Sequence, residues 1–210
     1  SFDTEAVVQE MGVPGAYRIQ HNYFKLHACC LYNHPVLDGV QSLLGRENFA
    51  ADDVERIKVE APALATIMTD PEPVNMLAAK FSLPYAVATA VVHNSTDITA
   101  FYPDRLQDPE TLALSRRVDI IADPEMDLRR YDYPAAKVAI SLKDGRTLTE
   151  EVTAHHGDTE NPASREELVG KFKFLVEDVL GEERAIRVVE TVGHLDALGN
   201  IKELTRLLKA

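Results

Sequence analysis

Between residues 35 and 44 the apolar side chains Val36, Leu37, Val40, Leu43 and Leu44 recur at three- and four-residue intervals. That spacing is the stripe of an amphipathic helix with one buried face. Pro35 suits its first turn, where a missing N–H costs nothing. At residues 54–60 the period changes to two, with Ile57 and Val59 inward, and predicts a strand. Residues 73–93 are mostly helical, broken at Ser82-Leu83-Pro84, where Ser82 can cap a new helix running from Pro84 to about His93. Val87, Val91 and the alanines give that helix a slim apolar face. Residues 109–116 predict a short helix and residues 118–122 a strand. Residues 136–143 and 146–152 flank Asp144-Gly145, a hairpin signal read as a type I′ turn with positive φ at both central positions. Val138, Ile140 and Leu142 then share a face, across from Leu148 and Val152.

Other stretches lack a clean period. Residues 4–11 read as a short helix closed by Gly12, and residues 17–24 as an extended segment. Residues 25–33 predict an irregular loop. Residues 155–164 read as a polar loop whose neighbouring His155 and His156 are expected to be solvated. Ser164-Arg165-Glu166-Glu167 is a capping box. It opens a helix with Leu168, Phe172, Leu175 and Val179 expected inward, and Gly181 stops it. Two further helices follow at 182–192 and 200–208. Strands in the first three quarters and helices after them give an α+β fold: a small mixed sheet with covering helices, then an all-helical C-terminal tail.

Composition narrows the function classes. With 210 residues, 45% of them hydrophobic, the chain can bury a sizeable core. Lys plus Arg is 22 against 34 Asp plus Glu, a net charge of −12, and no basic stripe is present. This argues against a nucleic-acid partner. It leaves an anionic small molecule open, because a local pocket can oppose the global field. No apolar run approaches the roughly 20 residues that span a bilayer, so no membrane partner is expected. The two cysteines, Cys29 and Cys30, are adjacent and would close a strained ring. Reduced thiols in a cytoplasmic protein are the simpler expectation. The chain starts Ser1-Phe2-Asp3 without Met, the start expected of a piece of something longer.

Reactive residue types are densest at residues 24–35, where Lys25, His27, Cys30 and His34 sit on a loop leading into a helix N-terminus. Such an end favours a carboxylate or phosphate. Lys25 adds a full positive charge, and His34 can donate or accept a proton. Against this stands the ordinary reading, in which Cys-Cys lines the core and a histidine is structural. No metal site is expected, since adjacent cysteines do not match a C-x₂₋₄-C spacing. Phosphate-binding glycine motifs and a G-x-S-x-G elbow are absent. Tyr85, in the first turn of its helix, is a ligand-facing hydroxyl or a half-buried core residue.

Phe24-Lys25 with Cys29-Cys30 and His34-Pro35, then Ala79-Lys80-Phe81-Ser82-Leu83-Pro84-Tyr85-Ala86-Val87-Ala88, then Gly157-Asp158 with Asn161-Pro162-Ala163-Ser164, Leu168 and Lys171-Phe172 follow one another in the chain. In that order they resemble the MmgE/PrpD family, which includes 2-methylcitrate dehydratase, cis-aconitate decarboxylase and iminodisuccinate epimerase. The resemblance implies residues 1–15 as the end of a preceding helical region and residues 16–160 as an α+β lid-type domain. Residues 161–210 would be a helical segment packing on an N-terminal helical domain absent from this sequence. It further implies a homo-oligomeric, cofactor-independent lyase or epimerase acting on small polycarboxylates, 2-methylcitrate dehydratase-like. Lys25, His34 and Tyr85 would be its catalytic residues on this chain, with Cys30 also at the substrate. A cation and hydrogen-bond donors suit an anionic ligand and a developing carbanion. Two other readings stand beside it. One is a non-catalytic carboxylate-binding or assembly module, and the other a thiol-dependent enzyme using Cys30.

Overall fold

A computed structural model describes residues 4–9, 11–15, 17–127 and 135–209; the expected start at Ser1-Phe2-Asp3 lies outside them. Contacts divide the chain into two compact units, residues 1–162 and residues 163–210.

In the first unit, α1 is Thr4–Val8 and α2 is His34–Arg46. The predicted stripe on α2 is realised: Val36, Leu37, Val40 and Leu43 are all buried. Strand β1, Val54–Ala61, buries Val54, Ile57, Val59 and Ala61. A register shift between Val54 and Arg56 lets Val54 and Ile57, an odd distance apart, face the same side. The short α3, Met76–Phe81, precedes α4, Leu83–His93. Ser82 caps α4 by accepting the Tyr85 N–H at 3.0 Å. Residues 83–91 are buried throughout, so α4 is apolar on every side rather than striped. Then come α5, Pro109–Ser115, β2, Val118–Ala122, and α6, Pro124–Asp127. Strands β3, Ala136–Leu142, and β4, Thr147–Val152, complete the unit.

The sheet order is β2-β1-β3-β4, with β1 parallel to β2 and the other pairs antiparallel. It is the mixed sheet of an α+β fold. Helix α2 packs on β3 and β4, and α4 packs against α2, α5 and β2. Helix and sheet come close at Gly39, where a Cβ would stand 3.2 Å from Val138 Cγ2. The other face of the sheet carries polar side chains, including the Arg56–Asp119 and Lys58–Glu60 ion pairs.

Two local expectations are corrected. Residues 17–24 are not extended throughout: Arg18–His21 is a 3₁₀ turn with no buried residue. Without neighbouring strands, nothing holds that segment in a ladder. The hairpin turn is not type I′ either. Gly145 has φ +89, but Asp144 is not in the positive region, where Asn94 is the one described non-glycine. Gly145 N–H donates to Leu142 O, and Leu142 N–H donates to Arg146 O. A single left-handed glycine after the turn is the arrangement of a bulged hairpin.

The second unit is α7, Arg165–Leu180, α8, Glu182–Gly193, and α9, Lys202–Leu207. The capping box forms as predicted, Ser164 Oγ accepting from Glu167 N–H and Glu167 accepting from Ser164 N–H. Leu168 and Phe172 are half-buried against α8, but Leu175 and Val179 are 49% and 64% exposed. Helix α8 covers one side of α7 only. Among the described residues of this unit, only Ala185 and Val188 are fully enclosed.

Two glycine replacements separate strain from collision. Gly145→Ala meets no atom within 4 Å, so it should lose about 1 kcal/mol from the positive φ alone. Gly157 has φ +96, and its Cβ would lie 2.3 Å from the Phe24 carbonyl oxygen. Gly157→Ala should therefore cost about 3 kcal/mol or more. Denaturant unfolding of both variants checks the order, and equal losses would contradict it.

Candidate functional site

The loop that carries Lys25 is irregular but firmly held. Phe24 N–H donates to Gly157 O at 2.9 Å, Ala28 N–H to Thr96 O at 2.9 Å, and Cys30 N–H to Lys80 O at 2.9 Å. Three separate parts of the chain thus fix one loop. The turn opposite is tightened by Gly157 N–H donating to Asn161 O and Asn161 N–H donating to Asp158 O. Only a glycine lets that turn lie against Phe24.

Behind the loop lies a histidine cluster. His27 Nε2 pairs with Asp38 Oδ1 at 2.9 Å, and His27 Nδ1 lies 2.6 Å from Thr96 Oγ1. Asp38 Oδ2 also accepts the His156 backbone N–H at 2.7 Å. His34 meets His27 edge-on at 5.1 Å between ring centres and His155 edge-on at 5.3 Å. Tyr23 meets His155 in the same way. His27, His34 and His155 are all buried. Burial, reinforced by the nearby charges of His27, His155 and Lys25, pushes His34 down to about 2. Burial also lowers His155, with Asp158 and Asp38 partly opposing it. Both rings are neutral near pH 7.

Lys25 is exposed and donates to the Cys29 carbonyl at 3.2 Å. An ammonium has three donors, so two remain for a ligand. Among the described residues it has no carboxylate partner. Cys30 is half-buried. Cys29 is buried, and burial together with the adjacent Cys30 pushes its thiol up to about 12. No group of three or more described His, Cys, Asp or Glu residues could hold a metal.

Tyr85 is placed differently from the ligand-facing expectation. It is fully buried, and its hydroxyl donates to Ala100 O at 3.1 Å beside the Phe101 ring. Burial, with Asp108 adding to it, pushes the phenol up to about 12. His34 is likewise enclosed rather than open. Two surface clefts of the first unit, of about 380 and 330 Å³, are lined by neither residue nor by Lys25.

Residues 27–195, more than half of the chain, match the MmgE/PrpD C-terminal domain. The chain belongs to the MmgE/PrpD family. Its relatives include a cis-aconitate decarboxylase of Mus musculus, 27% identical over 164 residues, which are 78% of this chain and 33% of that protein. A cis-aconitate decarboxylase of Aspergillus terreus is 27% identical over 95% of this chain and 44% of its own length. One of Homo sapiens is 24% identical over 89% and 39%. The chain thus spans less than half the length of these relatives.

Within the first unit, parts of the three segments that carried the MmgE/PrpD resemblance meet in space. Cys30 and Lys80 join the first to the second, and Phe24 and Gly157 join the first to the third. The sequence reading missed Asp38 and Thr96, which lie outside those segments, and took His155 for a solvated residue. His155 is enclosed because Gly157 brings its turn onto the loop. Two histidines directly before a glycine were the available signal. Among the described residues no helix is long and apolar enough to cross a membrane.

Two predictions follow from the burial of these groups. A depressed histidine pKa adds stability above the unfolded value near 6.5, and that stability is lost as pH falls below it. His34 should remove roughly 1 kcal/mol per pH unit below about pH 6, and His155 should act in the same direction. Denaturant midpoints measured from pH 7.5 to 5 test this, and a flat profile would contradict it. In native chain, iodoacetamide should label Cys30 well before Cys29, which should react only on unfolding; mass spectrometry of timed digests reads the order.

Proposed function

We propose that this chain is the C-terminal, lid-type part of a cofactor-independent lyase that acts on small polycarboxylates, with decarboxylation of a substrate such as cis-aconitate as its reaction class. The observation that carries the reading is the Lys25 ammonium, exposed, without a carboxylate partner among the described residues, and held on a loop fastened at three points. Family membership and the names of the relatives supply the reaction class. Loss of carbon dioxide leaves an electron pair on carbon beside the remaining carboxylates. A fixed cation stabilises that charge as it develops. In this reading Lys25 binds a substrate carboxylate, and Cys30 borders the same pocket. His34 and Tyr85 support the walls from behind unless the loop opens. The reading includes an N-terminal helical domain that covers the exposed side of α7, a self-associating protein, and a cytoplasmic location.

The test is carbon dioxide release from cis-aconitate by the full-length protein and by this chain alone. The full-length protein should turn over and this chain should not. Lys25→Met in the full-length protein should lower kcat/KM by about a hundredfold or more, the cost of one lost electrostatic contact to the transition state. Unchanged activity in Lys25→Met, or full activity of the 210-residue chain, would overturn the reading.

A further inference from the structure

Thr96 holds the Lys25 loop in two ways at once. Its carbonyl accepts the Ala28 N–H at 2.9 Å, and its hydroxyl oxygen lies 2.6 Å from His27 Nδ1. Those contacts fall on consecutive residues of the loop. Lys25 Nζ donates to the Cys29 carbonyl at 3.2 Å, which closes residues 25–29 into a ring through the ammonium itself. Thr96 therefore grips the middle of the segment whose ends the ammonium joins.

Neighbouring residues set Thr96 in turn. Asn94, with φ 48, ends α4 in the left-handed region and turns the chain. Ser95 Oγ donates to Asp97 Oδ2, and Thr99 N–H and Oγ1 donate to Asp97 Oδ1. Thr96 thus stands between two residues that are already tied, and it is buried, as is His27.

The hydrogen bonds around His27 run in one direction. A carboxylate only accepts, so His27 Nε2 carries the proton that meets Asp38 Oδ1 at 2.9 Å. Gln41 Nε2 donates to Thr96 Oγ1 at 3.3 Å. The Thr96 hydroxyl proton then has one acceptor among the described residues, His27 Nδ1. Protons are thus donated from Gln41 to Thr96, from Thr96 to His27 and from His27 to Asp38. Valine has nearly the shape of threonine but no hydroxyl, and would leave His27 Nδ1 bare in a buried place.

We propose that Thr96 is a positioning residue for the Lys25 ammonium, acting through His27 and Ala28; this rests on the function proposed above. Its hydroxyl holds the His27 ring in one tautomer and one orientation, and its carbonyl fixes the next peptide of the loop. Together they set where the 25–29 ring places the ammonium. Placement matters because a displacement of about 1 Å at a reacting centre can cost about a hundredfold in rate.

The test uses the full-length protein. Carbon dioxide release from cis-aconitate is measured for Thr96→Val, Thr96→Ser, Lys25→Met and the Lys25→Met/Thr96→Val double variant. Thr96→Val should lower kcat by about tenfold while KM changes less. Thr96→Ser, which keeps the hydroxyl, should recover most of that loss. In the Lys25→Met background Thr96→Val should add nothing, because the group it positions is gone. A merely structural residue would lower the rate again. In the unmodified protein, which needs no variant to fold, nitrogen NMR of the His27 ring should show the proton on Nε2 and none on Nδ1. A proton on Nδ1, full activity in Thr96→Val, or losses that add in the double variant would overturn the proposal. If Lys25→Met keeps full activity, the proposed function falls and the role of Thr96 falls with it. If Lys25→Met loses activity and Thr96→Val does not, only the role of Thr96 falls.

Discussion

One carboxylate ties together the parts of the molecule that matter most for its chemistry. Asp38, on the first turns of α2, has two oxygens, and each accepts a proton from a different loop. Oδ1 takes the His27 ring and Oδ2 takes the His156 backbone N–H. The two partners lie 11 and 118 residues away in sequence. Hydrogen bonds to a charged acceptor are each worth about 1.5–3 kcal/mol, enough to set the position of a short loop. Because His27 Nδ1 also reaches Thr96, the same arrangement extends to the segment after α4. Asparagine in place of Asp38 would offer one acceptor and two donors, and could serve both loops only with the His27 ring in its other tautomer. The Lys25 loop is thus located by α2, by the 155–161 turn and by residue 96 at once.

Electrostatically the region is layered. An ammonium lies at the surface, the His34 and His155 rings are fully enclosed, and the Asp38 carboxylate is partly exposed. The chain as a whole carries −12, a field that opposes an acidic ligand at long range. Salt screens exposed charges beyond about 8 Å. At contact distance the lone ammonium outweighs the distant carboxylates. A charged imidazole at His34 would add to that attraction, but burial holds the ring neutral. In the proposed function, recognition of an acid by this surface therefore rests on Lys25 and on hydrogen-bond donors, not on a cluster of positive charges.

What the sequence made legible was local. The stripe on α2, the alternation of β3 and the Ser82 and Ser164 caps were readable because short-range periodicity and capping chemistry decide them. The turn after β3 was readable as a hairpin, but its geometry depended on which of two residues takes positive φ, and dipeptide identity leaves that open. The burial of His155 was not readable, and that of Tyr85 stood as one of two readings. Each is enclosed by a segment that comes from elsewhere: the Phe24 segment through Gly157 for His155, and the Ala100–Phe101 turn for Tyr85. On α7 the pattern correctly marked an apolar face. A pattern says what can be buried, not what covers it, and Leu175 and Val179 remain in solvent.

The motif residues therefore carry their identities for different physical reasons. Gly157 is needed for a close backbone approach, Ser82 for a helix cap, and Tyr85 for a core contact with a satisfied hydroxyl. Each would be retained by stability alone. Lys25 is the exception, because an exposed ammonium bonded only to its own loop contributes little to folding. Replacing it should leave the fold intact, as its proposed role at a substrate carboxylate requires. The chemical case for the proposed site thus narrows to one cation and the half-buried thiol of Cys30, on a loop fastened at three points.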